Sequence, residues 1–273
     1  MTIFFSAVWI AGGILASPHR QPAGKIPSDL NGQEIKFSSG SGSTLNGWWA
    51  PKQNGKGSVI LLHGVQANRL SMLDRARFLS QAGYGTLLFD LQSHGESTGQ
   101  QITFGYLESR DAAAAVDFLR EKNPAEKIAI IGVSLGGAAT LLATPPLDVN
   151  AMVLESVYPT IEEAITNRLA MRLGAWAKVM TPLLTLQLKP RLGIGPEKLH
   201  PIEQLREIRT PKLIIFGTAD RHTLLEESQR LVEAAAEPKE SWAVQGAGHI
   251  DLHAHSRTEY EERVLSFLSK HMK

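Results

Sequence analysis

The sequence predicts an α/β fold: a mostly parallel central sheet with antiparallel N-terminal strands, helices on both faces and a helical cap inserted late in the chain. Three observations carry the prediction. From Ser58 onward, short Val/Ile/Leu-rich runs alternate with longer amphipathic stretches, the pattern of buried parallel strands joined by helices. Ahead of them, Glu34 to Ser38 and Thr44 to Ala50 flank a Gly40-Ser41-Gly42 turn and read as an antiparallel pair. At Ile128 to Gly137 an apolar strand pattern passes within one residue into a small-residue helix.

Taken in order, the chain opens on an apolar run, Ile3 to Ala16, too short to span a bilayer and lacking the basic flank of a secretion signal. Anchor, signal and a helix docked on the body or on a second subunit all stay open, so membrane-surface association through residues 3–16 and a homodimer are both expectations. A cytoplasmic or membrane-associated location follows, with export left open. Pro18 to Pro27 reads as a linker, which makes residues 1–28 an N-terminal helix and linker. The core is expected over 29–158 and 202–273. After the paired strands come strands at Ser58 to His63 and Gly85 to Asp90, with helices at Leu70 to Ala82 and Tyr106 to Lys122. The strand Lys127 to Val133 leads into the helix Leu135 to Ala143. Further strands are read at Ala151 to Ser156, Lys212 to Phe216 and Glu240 to Val244, and helices at Thr223 to Ala236 and Arg257 to Lys270. Residues 159–201 break the alternation, being too long and too helical for an ordinary crossover, and read as the cap. Its apolar residues, Trp176, Met180 and Leu184 among them, are candidates to line an acyl pocket.

Composition narrows the function. A net charge of +1, with both signs interspersed, provides no basic face for nucleic acid. The absence of cysteine removes disulfides, thiolate nucleophiles and Cys-based zinc sites. Gly132 to Gly137 has P-loop glycine spacing, but Ala138 and Ala139 stand where Lys and Ser/Thr are needed.

Gly132-Val133-Ser134-Leu135-Gly136 has the G-x-S-x-G spacing of a nucleophile elbow, in the strand-to-helix context such an elbow requires. A strand that turns at once into a helix holds its serine in a strained conformation and needs small neighbours. Ser134 is therefore the candidate nucleophile. A serine needs a base. Among the nine histidines, His249 follows the last strand in Gly246-Ala247-Gly248-His249, at the carboxyl edge where an open α/β sheet binds ligands. Asp220, at the end of Gly217-Thr218-Ala219-Asp220, is the candidate acid, with a helix N-cap as its plainer role and Glu155 in reserve. The N–H groups of Leu135 and Val65 are the candidate oxyanion donors. Gly64 lets the Val65 loop turn beside the serine, while His63 buttresses that loop. His222 borders the site.

These motifs, with Leu62-His63-Gly64 and the Asp90 to Ser97 turn, resemble the α/β-hydrolase superfamily from about Glu34 to the C-terminus. Within it the chain is similar to the serine-aminopeptidase and monoacylglycerol-lipase-like group of esterases and lipases. Gln92 departs from that pattern, standing where Arg is frequent. The resemblance implies hydrolysis, most often of carboxylic esters, and the apolar cap points to small to medium acyl chains; a lipase-like serine carboxylesterase with a Ser-His-Asp catalytic triad and no cofactor is expected. A peptidase, amidase, thioesterase or acyltransferase would use the same parts, and no amine-binding carboxylate for an aminopeptidase is identifiable. A non-catalytic α/β binding module and a metal site at His249, Asp251, His253 and His255 are the competing readings; no metal is expected.

Overall fold

In the computed structural model the described residues are 2–52 and 55–273, with residues 2–5 and 7 described by backbone alone. Met1, Gln53, Asn54 and the side chains of Ile3, Phe4 and Phe5 lie outside the described residues. The apolar run forms helix α1 (Thr2–Ala16). It is followed by the antiparallel strands β1 (Gln33–Ser38) and β2 (Thr44–Ala50), which pair from Gln33↔Trp49 to Ser38↔Thr44 across the predicted glycine turn. The alternating part then runs β3 (Ser58–Leu62), α2 (Leu73–Gln81), β4 (Gly85–Phe89), α3 (Glu108–Lys122), β5 (Ile128–Val133), α4 (Leu135–Leu141) and β6 (Ala151–Glu155). Four short helices occupy the predicted cap and its exit: α5 (Ile161–Leu173), α6 (Ala177–Thr185), α7 (Leu188–Leu192) and α8 (Pro201–Leu205). The chain closes with β7 (Lys212–Gly217), α9 (Leu225–Ala234), β8 (Lys239–Val244), α10 (Leu252–His255) and α11 (Arg257–His271).

Among the described residues the strands form one eight-stranded sheet, ordered β1-β2-β4-β3-β5-β6-β7-β8. Strand β2 runs antiparallel to both of its neighbours, β1 and β4, and every neighbouring pair from β4 to β8 is parallel. The central strands are closed to solvent on both faces, with Val59 to Leu62 and Ile128 to Ile131 fully buried. Apolar-polar alternation is absent from them because there is no wet face to mark. One core layer, built on Ile60, Leu62, Ile130 and Leu154, packs against α3 and α4, and the other, on Leu61, Ile131, Val153 and Ile215, packs against α2 and α11. The order reverses at β3, which lies between β4 and β5. A reversal of this kind marks the carboxyl ends of β3 and β5 as the place where open α/β sheets bind ligands.

Pro18 to Pro27 is not a free linker. His19 N donates to Ser93 O at 2.8 Å, and His19 O accepts from Gly95 N at 2.9 Å. Arg20 donates to Ser97 O and Gly99 O, and Asn68 Nδ2 donates to Gln21 O at 3.0 Å. Backbone pairing of this kind leaves no trace in residue type, so proline and glycine content marks the stretch as a linker without showing where it is tied.

Candidate active site

Ser134 sits between β5 and α4 at φ 50° and ψ −107°, a left-handed backbone that side chains rarely adopt. The turn holds because its surroundings leave no alternative. The Ser134 N–H is tied to Glu155 O at 2.7 Å, and Ser134 O accepts from Ala138 N at 2.9 Å, the first turn of α4. A Cβ on Gly136 would lie 2.4 Å from Leu62 O, so α4 can approach β3 this closely only with glycine there. Gly136→Ala is therefore expected to destabilise the fold by about 1–3 kcal/mol, the usual cost of overpacking, seen as a lower urea midpoint. An unchanged midpoint would show that the elbow has slack.

The register Leu62↔Gly132 puts the end of β3 beside the end of β5. A Cβ built on Gly64 would be 3.7 Å from Ser134 Cβ, so the predicted loop does lie against the serine. His63 holds that loop from beneath: Nδ1 donates to Gly64 O at 2.7 Å and Nε2 accepts from Leu91 N at 3.0 Å. Burial, aided by the neighbouring His94 ring, lowers the His63 pKa to about 3, so the ring stays neutral as this bonding pattern requires. Val65 is partly buried against the core, and Leu135 opens α4, where a first-turn N–H has no partner within the helix.

Asp220 and His249 reach the same edge from β7 and β8. The two loops are laced together: Thr218 N donates to Val244 O at 3.0 Å, Ala219 N to Ala247 O at 2.9 Å and Gly246 N to Thr218 Oγ1 at 2.9 Å. Gly217 allows the contact, since a Cβ there would fall 2.2 Å from Ala247 O. The two oxygens of Asp220 divide their tasks. Oδ1 accepts from the N–H groups of His222 (2.7 Å) and Thr223 (3.0 Å), and Oδ2 accepts from His249 Nδ1 at 2.8 Å. Asp220 therefore does not cap α9, whose N-cap is Leu224; its Oδ1 closes the turn that precedes the helix while Oδ2 partners the histidine. Burial pushes its pKa up, but the His249 bond and charge, with the two amides, outweigh this and hold the carboxyl below its ordinary value. His222 does more than border the site: its ring stacks on His249 with centroids 4.6 Å apart, and burial followed by the His249 charge pulls its pKa down.

Glu155 is committed elsewhere. Buried Arg75 donates to it through Nε (3.0 Å) and Nη2 (2.7 Å), and Tyr260 Oη also donates to it. The other members of the His/Asp cluster separate in the same way. Asp251 pairs with Arg75 at 2.8 Å and caps α10, while buried His253 bonds Glu261 at 2.9 Å. Among the described residues no three His, Asp or Glu side chains gather as a metal site would need.

The three residues predicted to line a pocket in the expected cap differ in exposure. Leu184 is buried and Met180 partly buried, but Trp176 is 71% exposed on a 3-10 turn between α5 and α6. Apolar character marked it for a pocket, whereas the tight turn carries it outward. Sequence reasoning missed Asn167, whose Nδ2 donates to His222 O (3.2 Å) and to both oxygens of Glu227, joining α5 to the acid loop. Gln92, which the sequence marks only as a departure from the family pattern, donates to Gln101 O (2.7 Å) and Glu108 Oε1 (2.6 Å). A groove of about 770 Å³ lies along α3 and the loop Leu142 to Asp148. That loop leads into β6 at the amino edge of the sheet, opposite Ser134.

Comparison with known proteins agrees with this architecture. The chain is similar to Uncharacterized protein Rv2307c of Mycobacterium tuberculosis, 30% identical over 240 residues that cover 84% of this chain and 78% of that one. It is 25% identical to the Polyketide transferase grgF of Penicillium sp over 293 residues, covering 90% and 98%. The Pyrococcus furiosus esterase Pf2001 shares the fold, with a TM-score of 0.79 at 24% identity over 95% of this chain and 99% of that one. The sequence model of the family described as Serine aminopeptidase, S33, matches residues 53–202, more than half the chain. With that match, and with the eight-stranded sheet and its helices, the chain belongs to the S33 serine aminopeptidase family of hydrolases and has the α/β-hydrolase fold.

Proposed function

We propose that this protein is a serine carboxylesterase that acts on esters with small to medium acyl chains through an acyl-serine intermediate. The observation that carries the proposal is the 2.8 Å bond between Asp220 Oδ2 and His249 Nδ1 at the sheet edge where the strained Ser134 emerges. With Nδ1–H given to the carboxylate, His249 Nε2 is the free base. It takes the Ser134 proton as Oγ attacks the ester carbonyl carbon. The N–H groups of Leu135 and Val65 receive the developing oxyanion, and the alcohol leaves with the proton that His249 carries. Water, activated by the same base, then attacks the acyl-serine and releases the acid. No cofactor enters any of these steps. Gly64, Met180, Leu184 and His222 are the proposed substrate-side residues.

Turnover of a p-nitrophenyl ester series from acetate to dodecanoate, with fluorophosphonate labelling, tests this. Activity falling beyond medium chains and a label on Ser134 are expected; a label on another serine refutes the assignment. Similarity to a protein named as a polyketide transferase favours a second reading, transfer of the acyl group to an alcohol instead of water. Product analysis with an added alcohol separates the two.

A further inference from the structure

The helix α1 contains no charged residue, and its sequence is apolar around nearly the whole circumference. Such a helix is ordinarily covered on all sides. Here one stripe is covered: Val8 and Ala16 are buried, and a Cβ on Gly12 would fall 2.3 Å from Gln187 Oε1 of the cap. Gln187 Nε2 donates to Val8 O at 3.1 Å, and the Arg191 guanidinium lies 4.2 Å over the Trp9 ring. On the opposite side, among the described residues, Ile10 and Ile14 are 61% and 64% exposed. The cap helix α6, which packs on α1, and its flanks add exposed apolar side chains of their own, Trp176, Val179 and Leu186, at 71%, 59% and 73%.

Charge is sorted around this surface. Between Ala164 and Pro196 the chain carries Arg172, Lys178, Lys189 and Arg191, besides Arg168, which is partly buried beside Tyr158 and Asp220, and no carboxylate. Residues 1–28 carry Arg20 and Lys25 and again no carboxylate, in a protein whose net charge is +1. We infer that the α1 and cap surface docks on an anionic lipid bilayer. A partner both apolar and negative is what the surface lacks. A second copy of the chain, joined face to face about a two-fold axis, would set these cations against each other. At 15 residues α1 reaches about 22 Å, short of the ~30 Å hydrocarbon core, and among the described residues no helix is long and apolar enough to cross a membrane. Held alongside the cap by Gln187, Arg191 and α6, the helix lies along the interface in this arrangement, its apolar side in the acyl boundary and Lys178 and Lys189 toward the headgroups. This inference does not depend on the esterase reading.

Sedimentation of the full chain with vesicles of mixed phosphatidylglycerol and phosphatidylcholine, against phosphatidylcholine alone, tests it. Binding to the anionic vesicles, weakened by salt, is expected. Lys178→Gln with Lys189→Gln should weaken it by about fivefold per charge removed, and Ile10→Asp with Ile14→Asp should abolish it. Both double variants alter exposed side chains and should keep the wild-type Tm and turnover of a water-soluble p-nitrophenyl ester. Ser134→Ala should sediment like the wild type, so loss of docking and loss of hydrolysis are read separately. Failure to bind phosphatidylglycerol vesicles, or equal binding by wild type and variants, overturns the inference. So does a dimer that Ile10→Asp with Ile14→Asp dissociates in the absence of vesicle binding, because the surface is then a self-interface.

Discussion

Ser134→Ala is expected to lower kcat on a p-nitrophenyl ester by a factor on the order of 10⁶, while the folded protein keeps its Tm. The magnitude follows from the role: removal of the nucleophile eliminates the acyl-enzyme route altogether, and what remains is binding and oxyanion stabilisation acting on direct attack by water. The fold should be indifferent because alanine meets the same positive φ as serine, and the backbone bonds to Glu155 O and from Ala138 N are unaffected. Fluorophosphonate labelling should vanish with the activity. Turnover persisting within tenfold of wild type would remove Ser134 from the chemistry and leave the strained turn without a catalytic account.

Asp220→Asn is expected to cost about 10⁴ in kcat. The change is nearly isosteric, and an amide oxygen can still accept from the His222 and Thr223 N–H groups that Oδ1 now serves. The amide NH2 then faces His249 Nδ1 in place of Oδ2. Two donors cannot bond, so Nδ1 becomes the acceptor and the proton moves to Nε2, the nitrogen that must be bare to act as base. The wild-type carboxylate is also held ionised. Its folded pKa lies below its unfolded value, so its contribution to stability is complete above the unfolded carboxyl pKa and is lost as pH falls through the lowered folded value. A rate profile measured above about pH 5 should accordingly show no limb from Asp220. A kcat within tenfold of wild type for Asp220→Asn would move the acid elsewhere.

The strands and helices were legible because their cause is local. Runs such as Val59 to Leu62 and Ile128 to Ile131 are buried on both faces and have no polar alternation to confuse the period. Ser134, Asp220 and His249 were legible as candidates because each follows a strand, and a parallel sheet delivers every such position to one edge. The rest depends on pairs far apart in the chain. Arg75, Glu155 and Tyr260 are separated by up to 185 positions, and only the packing of α2 and α11 on the same sheet face brings them together. The tie of His19 to Ser93 and Gly95 uses backbone groups that every residue has. Trp176 shows the remaining limit: apolar character says that a side chain favours cover but not whether its turn provides any.

The amide of Asn167 ties α5 to the loop that carries Asp220 and His222. It is the α5 residue that grips the carbonyl of His222, and His222 both anchors Asp220 through its N–H and stacks on His249 through its ring. A shift of α5 would therefore reach the loop that carries Asp220 through the His222 carbonyl. Substitutions in the proposed cap are accordingly expected to change turnover along with substrate choice.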